Sequence, residues 1–276
     1  MRTRSLVRTG FVALVFCAAA AAAQAQAQAQ APAAGEYTPT VGQAGKDVVW
    51  VPSPQTLVDK MLDMAKVTPA DFVMDLGSGD GRTVITAAKR GVRAMGAEYN
   101  PDMVALSRRN ATAAGVADKA TFVQADIFQT DISKATVITL FLLPDLNVRL
   151  RPTILALKPG TRVVSNSFRM GEWDPDESLE LGCDTWCTAF FWIVPARVEG
   201  SWQLGKGELT LKQAFQNITG TLKTANGTVA IANGKLRGDE ISFVAAGAEY
   251  RGRVNDKAIE GTVSAGGKAS AWKAIR

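Results

Sequence analysis

Histidine is absent from all 276 residues. Its absence excludes Ser-His-Asp and Cys-His catalysis, and any zinc site that needs an imidazole ligand. Cysteine is scarce, with only Cys17, Cys183 and Cys187 present. Too few thiols remain for a structural zinc site. Cys183 and Cys187 fit a disulfide in an oxidising compartment and fit two free thiols nearly as well, because Cα separation decides and spacing does not reveal it. No apolar run reaches the roughly 18–20 residues of a membrane-spanning helix. The chain also lacks a basic stripe. Lys and Arg outnumber Asp and Glu by 31 to 26, but Arg2, Arg4 and Arg8 lie in the first 23 residues, which hold no acid, and without them the net charge falls from +5 to +2. That balance gives no footprint for nucleic acid.

The first feature present is a basic, then apolar, then small-residue order at the N-terminus. Arg2, Arg4 and Arg8 precede the short apolar stretch Phe11–Ala23, and Ala-x-Ala sites follow between Ala21 and Ala31. Residues 1–23 therefore read as a signal peptide removed on export to the periplasm or cell envelope, with an uncleaved anchor as the alternative. Phe16 is too bulky for lipidation at Cys17. Residues 24–45, beginning QAQAQAQAPAA, read as a low-complexity linker.

From Ser53 onward helical and strand patterns alternate. Ser53-Pro54 suits a helix start before Leu57, Val58, Met61 and Leu62. Strands are predicted at Phe72–Leu76, Arg93–Ala97, Ala120–Gln124, Thr136–Leu143 and Arg162–Ser165. Helices are predicted at Arg82–Arg90, from Asn100-Pro101 to Ala114, and at Leu146–Leu157. Apolar strands alternating with helices indicate a parallel sheet covered on both faces, an α/β fold. Ser178–Leu181 and Thr188–Val194 read as a hairpin that closes this sheet. The α/β domain thus spans residues 46–195. Beyond it, period-two alternation with turns at Asn226-Gly227 and Asn233-Gly234 predicts a small all-β barrel or sandwich over 197–276. Trp202 and Trp272 read as its core.

The sharpest motif is Val73-Met74-Asp75-Leu76-Gly77-Ser78-Gly79-Asp80-Gly81, a strand-to-helix bend rich in glycine. Ligands bind at this edge of an open α/β sheet. Asp75 and Asp80 would repel a pyrophosphate, and the glycine spacing departs from the dinucleotide pattern. A sulfonium cofactor with an α-ammonium is instead attracted by those carboxylates. S-adenosyl-L-methionine is therefore the expected cofactor, held by Asp75, Gly77, Ser78, Gly79 and Gly81. Glu98 follows the second strand, where it can accept both ribose hydroxyls. Asp126 follows the third, within reach of an adenine amino group. Tyr99 and Ile127 adjoin these two acids and are expected to bind the cofactor with them.

Together these residues resemble the class I S-adenosylmethionine-dependent methyltransferases. The likeness extends to a lysine methyltransferase group that includes an archaeal broad-specificity enzyme and the mitochondrial ATP-synthase c-subunit methyltransferase. Trp50-Val51-Pro52-Ser53-Pro54, Asp75–Arg82, Leu140–Asn147 and KPGTRVVSNSF (158–168) carry it, over residues 48–195. The resemblance implies a Rossmann-like, seven-stranded sheet with a reversed last strand. It implies cofactor binding by Asp75, Gly77, Gly79, Glu98 and Asp126. Family members often have Tyr where Trp50 and Phe141 stand, and His-Asp where Asn166-Ser167 stand. The β domain lies outside the resemblance.

The expected activity is N-methylation of lysine side chains in proteins. Trp50, Phe141, Leu142 and Phe168 are expected to form an apolar mouth, with Asn147 or Asn166 orienting the amine. A small-molecule N- or O-methyltransferase, and an exported binding protein that keeps the fold without catalysis, are the rival readings. Export also conflicts with a cofactor made in the cytosol.

Overall fold

In the computed structural model the described residues are 37–183 and 185–276; the expected signal peptide and most of the expected linker lie outside them. Residues 39–276 form one unit. Helix α1 (Gln55–Met64) buries Leu57, Val58, Met61 and Leu62 on one face, as their spacing requires. Its N-cap is Pro54, which offers no side-chain cap. Ser53, expected as the cap, instead accepts a hydrogen bond through Oγ from Asn166 Nδ2 at 3.0 Å. Then follow β1 (Phe72–Leu76), α2 (Arg82–Lys89), β2 (Arg93–Glu98), α3 (Pro101–Ala113), β3 (Ala120–Gln124), β4 (Val137–Leu140), α4 (Pro144–Leu155), β5 (Arg162–Asn166), β6 (Glu177–Glu180) and β7 (Thr188–Ile193).

These seven strands make one sheet in the order β3-β2-β1-β4-β5-β7-β6. The first five are parallel, while β7 runs antiparallel to both β5 and β6. The expected Rossmann-like sheet with a reversed strand is therefore what forms. Successive side chains face opposite layers. Val73 joins α1, α2 and α3 in one core; Met74 joins α4, Trp173 and Trp192 in the other. Strand β4 is shorter than its apolar run predicts. Phe141–Leu143 leaves the sheet because Pro144 opens α4.

The remaining strands are β8 (Gly200–Leu204), β9 (Gly207–Ala214), β10 (Asn217–Thr224), β11 (Gly227–Ala230), β12 (Ala232–Arg237), β13 (Glu240–Ala245), β14 (Ala248–Asn255), β15 (Ala258–Ala265) and β16 (Lys268–Ile275). Pairing runs β9-β10-β12-β13-β14-β15-β16-β8 and returns to β9, a closed eight-stranded antiparallel barrel with β11 hydrogen-bonded to β10 outside the circuit. Trp202, Leu209, Phe243, Ile259 and Trp272 fill its interior. Asn226 lies in the expected hairpin turn between β10 and β11. Asn233-Gly234 does not make a turn. It forms a bulge inside β12, where the register shifts between Ala232 and Lys235 and Asn233 takes φ +53°.

The barrel is seated on the sheet. Phe215 stacks on Trp173 with centroids 6.1 Å apart. Gln216 Nε2 donates to Asp174 O at 2.7 Å, and Arg237 pairs with Glu177 at 2.8 Å. The turn after β12 approaches so closely that a Cβ on Gly238 would lie 3.0 Å from Gly160 Cα.

Candidate cofactor and acceptor site

Three acids reach one edge of the sheet because β1, β2 and β3 are parallel neighbours. Asp75 stands one residue before the end of β1 and is 7% exposed. Its register partner on β4, Thr139, donates to Asp75 Oδ1 at 2.6 Å. Burial pushes the Asp75 carboxyl up to about 7; the Thr139 hydroxyl opposes that rise, and the Asp80 and Glu98 carboxylates add to it. Glu98 ends β2. It accepts from Gly79 N at 3.0 Å and from Asn100 N at 2.9 Å, tying the glycine bend to the next strand. Asp126 follows β3. Its Oδ1 accepts from Phe128 N at 2.9 Å and its Oδ2 from Lys46 Nζ at 2.7 Å. The hydrogen bond from Lys46 holds Asp126 below the usual carboxylate range.

The glycine bend allows a second close approach. Gly79 has φ +54°, and a Cβ there would lie 2.7 Å from Trp50 Nε1. Trp50 belongs to a strap over the sheet edge. Gly42 N donates to Trp50 O and Trp50 N to Gln43 O, both at 2.9 Å, and Ala44 bridges to Val49. Residues 42–45, read from sequence as linker, are thus hydrogen-bonded parts of the site. Gly81 serves packing: a Cβ there would lie 2.7 Å from Phe122 Cζ.

Trp50, Asp75, Gly77, Ser78, Gly79, Glu98, Tyr99, Asp126, Ile127 and Phe141 line one cavity; Gly81 does not. Leu142 also lines it. A second cavity is walled by residues 44–49, Val51, Phe141–Leu143, Phe168 and Trp186. Phe141 and Leu142 belong to both. Asn147 and Asn166, one or the other of which was expected to orient the amine, line neither. Each is fully buried. Asn147 Nδ2 donates to Phe168 O at 3.2 Å and to Ser165 Oγ at 3.3 Å, so it braces the segment that carries Phe168. Asn166 braces Ser53.

Sequence reasoning missed Lys46, Thr139 and Trp186. Thr139 had a signal, a lone hydroxyl in the apolar strand Val-Ile-Thr-Leu opposite Asp75. Lys46 had none, because its partner lies 80 residues away. Trp186 sits beside Cys187, which is disulfide-bonded to Cys183 with the Cα atoms 5.9 Å apart.

The strand order and the carboxylate-lined bend define an S-adenosylmethionine-dependent methyltransferase. The family model for the ANTKMT methyltransferase domain matches residues 75–177. A protein-lysine N-methyltransferase of Saccharolobus islandicus is 44% identical over 137 residues, covering 49% of this chain and 85% of that one. The ATP synthase c-subunit lysine N-methyltransferase of Mus musculus is 35% identical, covering 49% of this chain and 55% of that one. A crystal structure of an RNA methyltransferase from Salinibacter ruber, in complex with S-adenosyl-L-homocysteine, is 49% identical with a TM-score of 0.51, covering 54% of this chain and 96% of that one. The chain belongs to this methyltransferase family.

The residues present fit the cofactor. Asp75, Glu98 and Asp126 line one cavity, and these carboxyl groups make it a place for a cation. The buried Asp75 carboxyl at the glycine bend disfavours a pyrophosphate there.

Proposed function

We propose that the protein transfers methyl groups to lysine side chains of proteins. The observation that carries this reading is the apolar cavity of Phe141, Leu142 and Phe168, which shares a wall with the acid-lined cavity. In this reading Asp75 serves the α-ammonium of the cofactor, Glu98 the ribose hydroxyls and Asp126 the adenine amino group. When bound, S-adenosylmethionine supplies a methyl group activated by its sulfonium. The chain's residues must then align an amine with that methyl, which is mainly positioning.

The amine must arrive neutral. For a free lysine near pH 7 that costs about 4.6 kcal/mol. Apolar surroundings disfavour the ammonium and offset much of this cost. Phe141 and Leu142 provide such surroundings at the shared wall. No histidine is available as a base; desolvation lowers the amine's pKa, and the proton it loses passes to solvent. The lysine methyltransferases among the relatives support the same choice of acceptor.

Supplying labelled cofactor with separate protein, RNA and small-molecule fractions tests the reading. Acid-stable label recovered as methyl-lysine is expected. Label confined to RNA or to small molecules would overturn it. We further propose that the protein acts after export, a reading supported by the Cys183–Cys187 disulfide, since such bonds persist in oxidising compartments. Cell fractionation with sequencing of the mature N-terminus checks this. A cytosolic protein that retains residues 1–23 would refute it.

A further inference from the structure

Trp186 does nothing for the core. It is 41% exposed, which leaves much of a large apolar ring in water. Its backbone has φ +58°, a left-handed conformation that bulky residues rarely adopt. Such a conformation persists only where the surroundings enforce it. Here the Cys183–Cys187 bond closes the turn that carries it. The result is an indole placed against two other rings. Trp186 lies 5.8 Å from Phe141 at 61° and 5.4 Å from Phe168 at 50°. Phe141 and Phe168 lie 6.2 Å apart at 20°. The three rings are inclined walls of one cavity, and that cavity shares Phe141 and Leu142 with the cofactor cavity.

We infer that Trp186, with Phe141 and Phe168, forms an aromatic collar that recognises the cationic amine of the methyl acceptor in its free and methylated forms. This inference rests on the lysine reading above. Aromatic faces attract ammonium groups, the indole face most strongly, and methylated amines are well suited because they stay charged and shed water readily. The single cation among the cavity's described lining residues, Lys46, is engaged by Asp126 at 2.7 Å and by Asp47 at 3.6 Å, so its charge is balanced by two acids. A nucleic acid would need uncommitted cations for its phosphates. Capture of the charged amine belongs to the outer rings. Its neutral form is favoured further in, at the wall that Phe141 and Leu142 share with the cofactor cavity. A monomethylated lysine retains its affinity for the collar, which favours a second transfer to the same side chain.

The experiment compares wild-type protein with Trp186→Ala, Trp186→Phe and the pair Cys183→Ser with Cys187→Ser. A polylysine peptide and a monomethyl-lysine peptide serve as acceptors. KM and kcat are read by mass spectrometry, and S-adenosylhomocysteine affinity by calorimetry. Trp186→Ala should raise KM about 5- to 30-fold on both peptides, the range expected for loss of one ring–cation contact. Cofactor-product affinity should stay within about two-fold, since Trp186 lines only the acceptor cavity. Trp186→Phe should recover most of the loss. The serine pair should raise KM in the same direction. An unchanged KM in Trp186→Ala, or an equal loss of S-adenosylhomocysteine affinity, would overturn the collar. If wild-type protein methylates neither peptide and labels RNA instead, the lysine reading falls and takes the collar's ligand with it.

Discussion

A carboxyl that water barely reaches stands at the centre of the site. An unfolded aspartate loses its proton near pH 3.9, whereas folded Asp75 keeps it to about 7. Between those values the folded state binds the extra proton, so Asp75 lowers stability as pH rises through this window. A cationic ligand favours the carboxylate and should expel that proton. Cofactor affinity is therefore expected to rise from about pH 5.5 to about pH 7.5 and then level off. Calorimetry in two buffers of different ionisation heat reads the released proton directly. Asp75→Asn should abolish this pH dependence and weaken binding about 10- to 100-fold, the scale of a hydrogen bond to a charged group. Its melting temperature at pH 7.5 should be no lower than that of wild type. Phe141→Ala should lower kcat about ten-fold or more through poorer alignment, with a smaller loss of S-adenosylhomocysteine affinity, because Phe141 also lines the cofactor cavity. Equal losses would place Phe141 in cofactor binding instead. That Asp75, Glu98 and Asp126 gather at one sheet edge was legible because each acid stands at or just after the end of a strand of one parallel sheet. Asn147 and Asn166 misled because motif proximity says nothing of direction, and burial turned both toward the scaffold. Trp186 was illegible because its ring partners lie 18 and 45 positions back along the chain.

Among the elements, the strap and the glycine bend form an interlocked pair. Gly79→Ala would add a methyl where Trp50 Nε1 stands 2.7 Å away, on a backbone at φ +54°. The strained conformation alone costs about 1–3 kcal/mol. Thermal unfolding and cofactor titration should both register the change. Combining it with Trp50→Ala should restore part of the stability if the indole is what the methyl meets, and a double-mutant cycle measures that coupling. The α/β elements were readable because glycine, proline and Asn100 punctuate apolar runs. Asn100 does cap α3, accepting from Asp102 N at 2.9 Å. The first half of the strap, residues 42–47, was hidden because it has no periodicity. Its order comes from backbone hydrogen bonds and from Lys46 reaching Asp126, and neither leaves a mark in local composition. Asn233-Gly234 shows the opposite failure. The dipeptide that favours a hairpin turn also suits a bulge, and barrel closure decides between them.

For the whole molecule, the joint between sheet and barrel is dense enough to couple them. Trp173 is fully buried, and Phe215 stacks on it from the barrel side. One cooperative unfolding transition is expected, with tryptophan fluorescence and far-UV circular dichroism giving the same midpoint. Gln216→Ala removes the donor to Asp174 O and should cost about 1–2 kcal/mol without splitting that transition. Two separate transitions would show that the joint does not couple the halves. The barrel's position also bears on self-association. Strand β6 is the last of its sheet, so among the described residues one row of its backbone groups has no neighbouring strand. Exposed flanks of this kind recruit other chains. The barrel meets this flank through Arg237 at Glu177 and through Gln216 at Asp174, putting a closed, self-satisfied body beside a raw margin. A chain ending after residue 195 should consequently sediment as concentration-dependent assemblies while the intact chain does not, which would make the appended barrel a guardian of solubility as well as a structural partner.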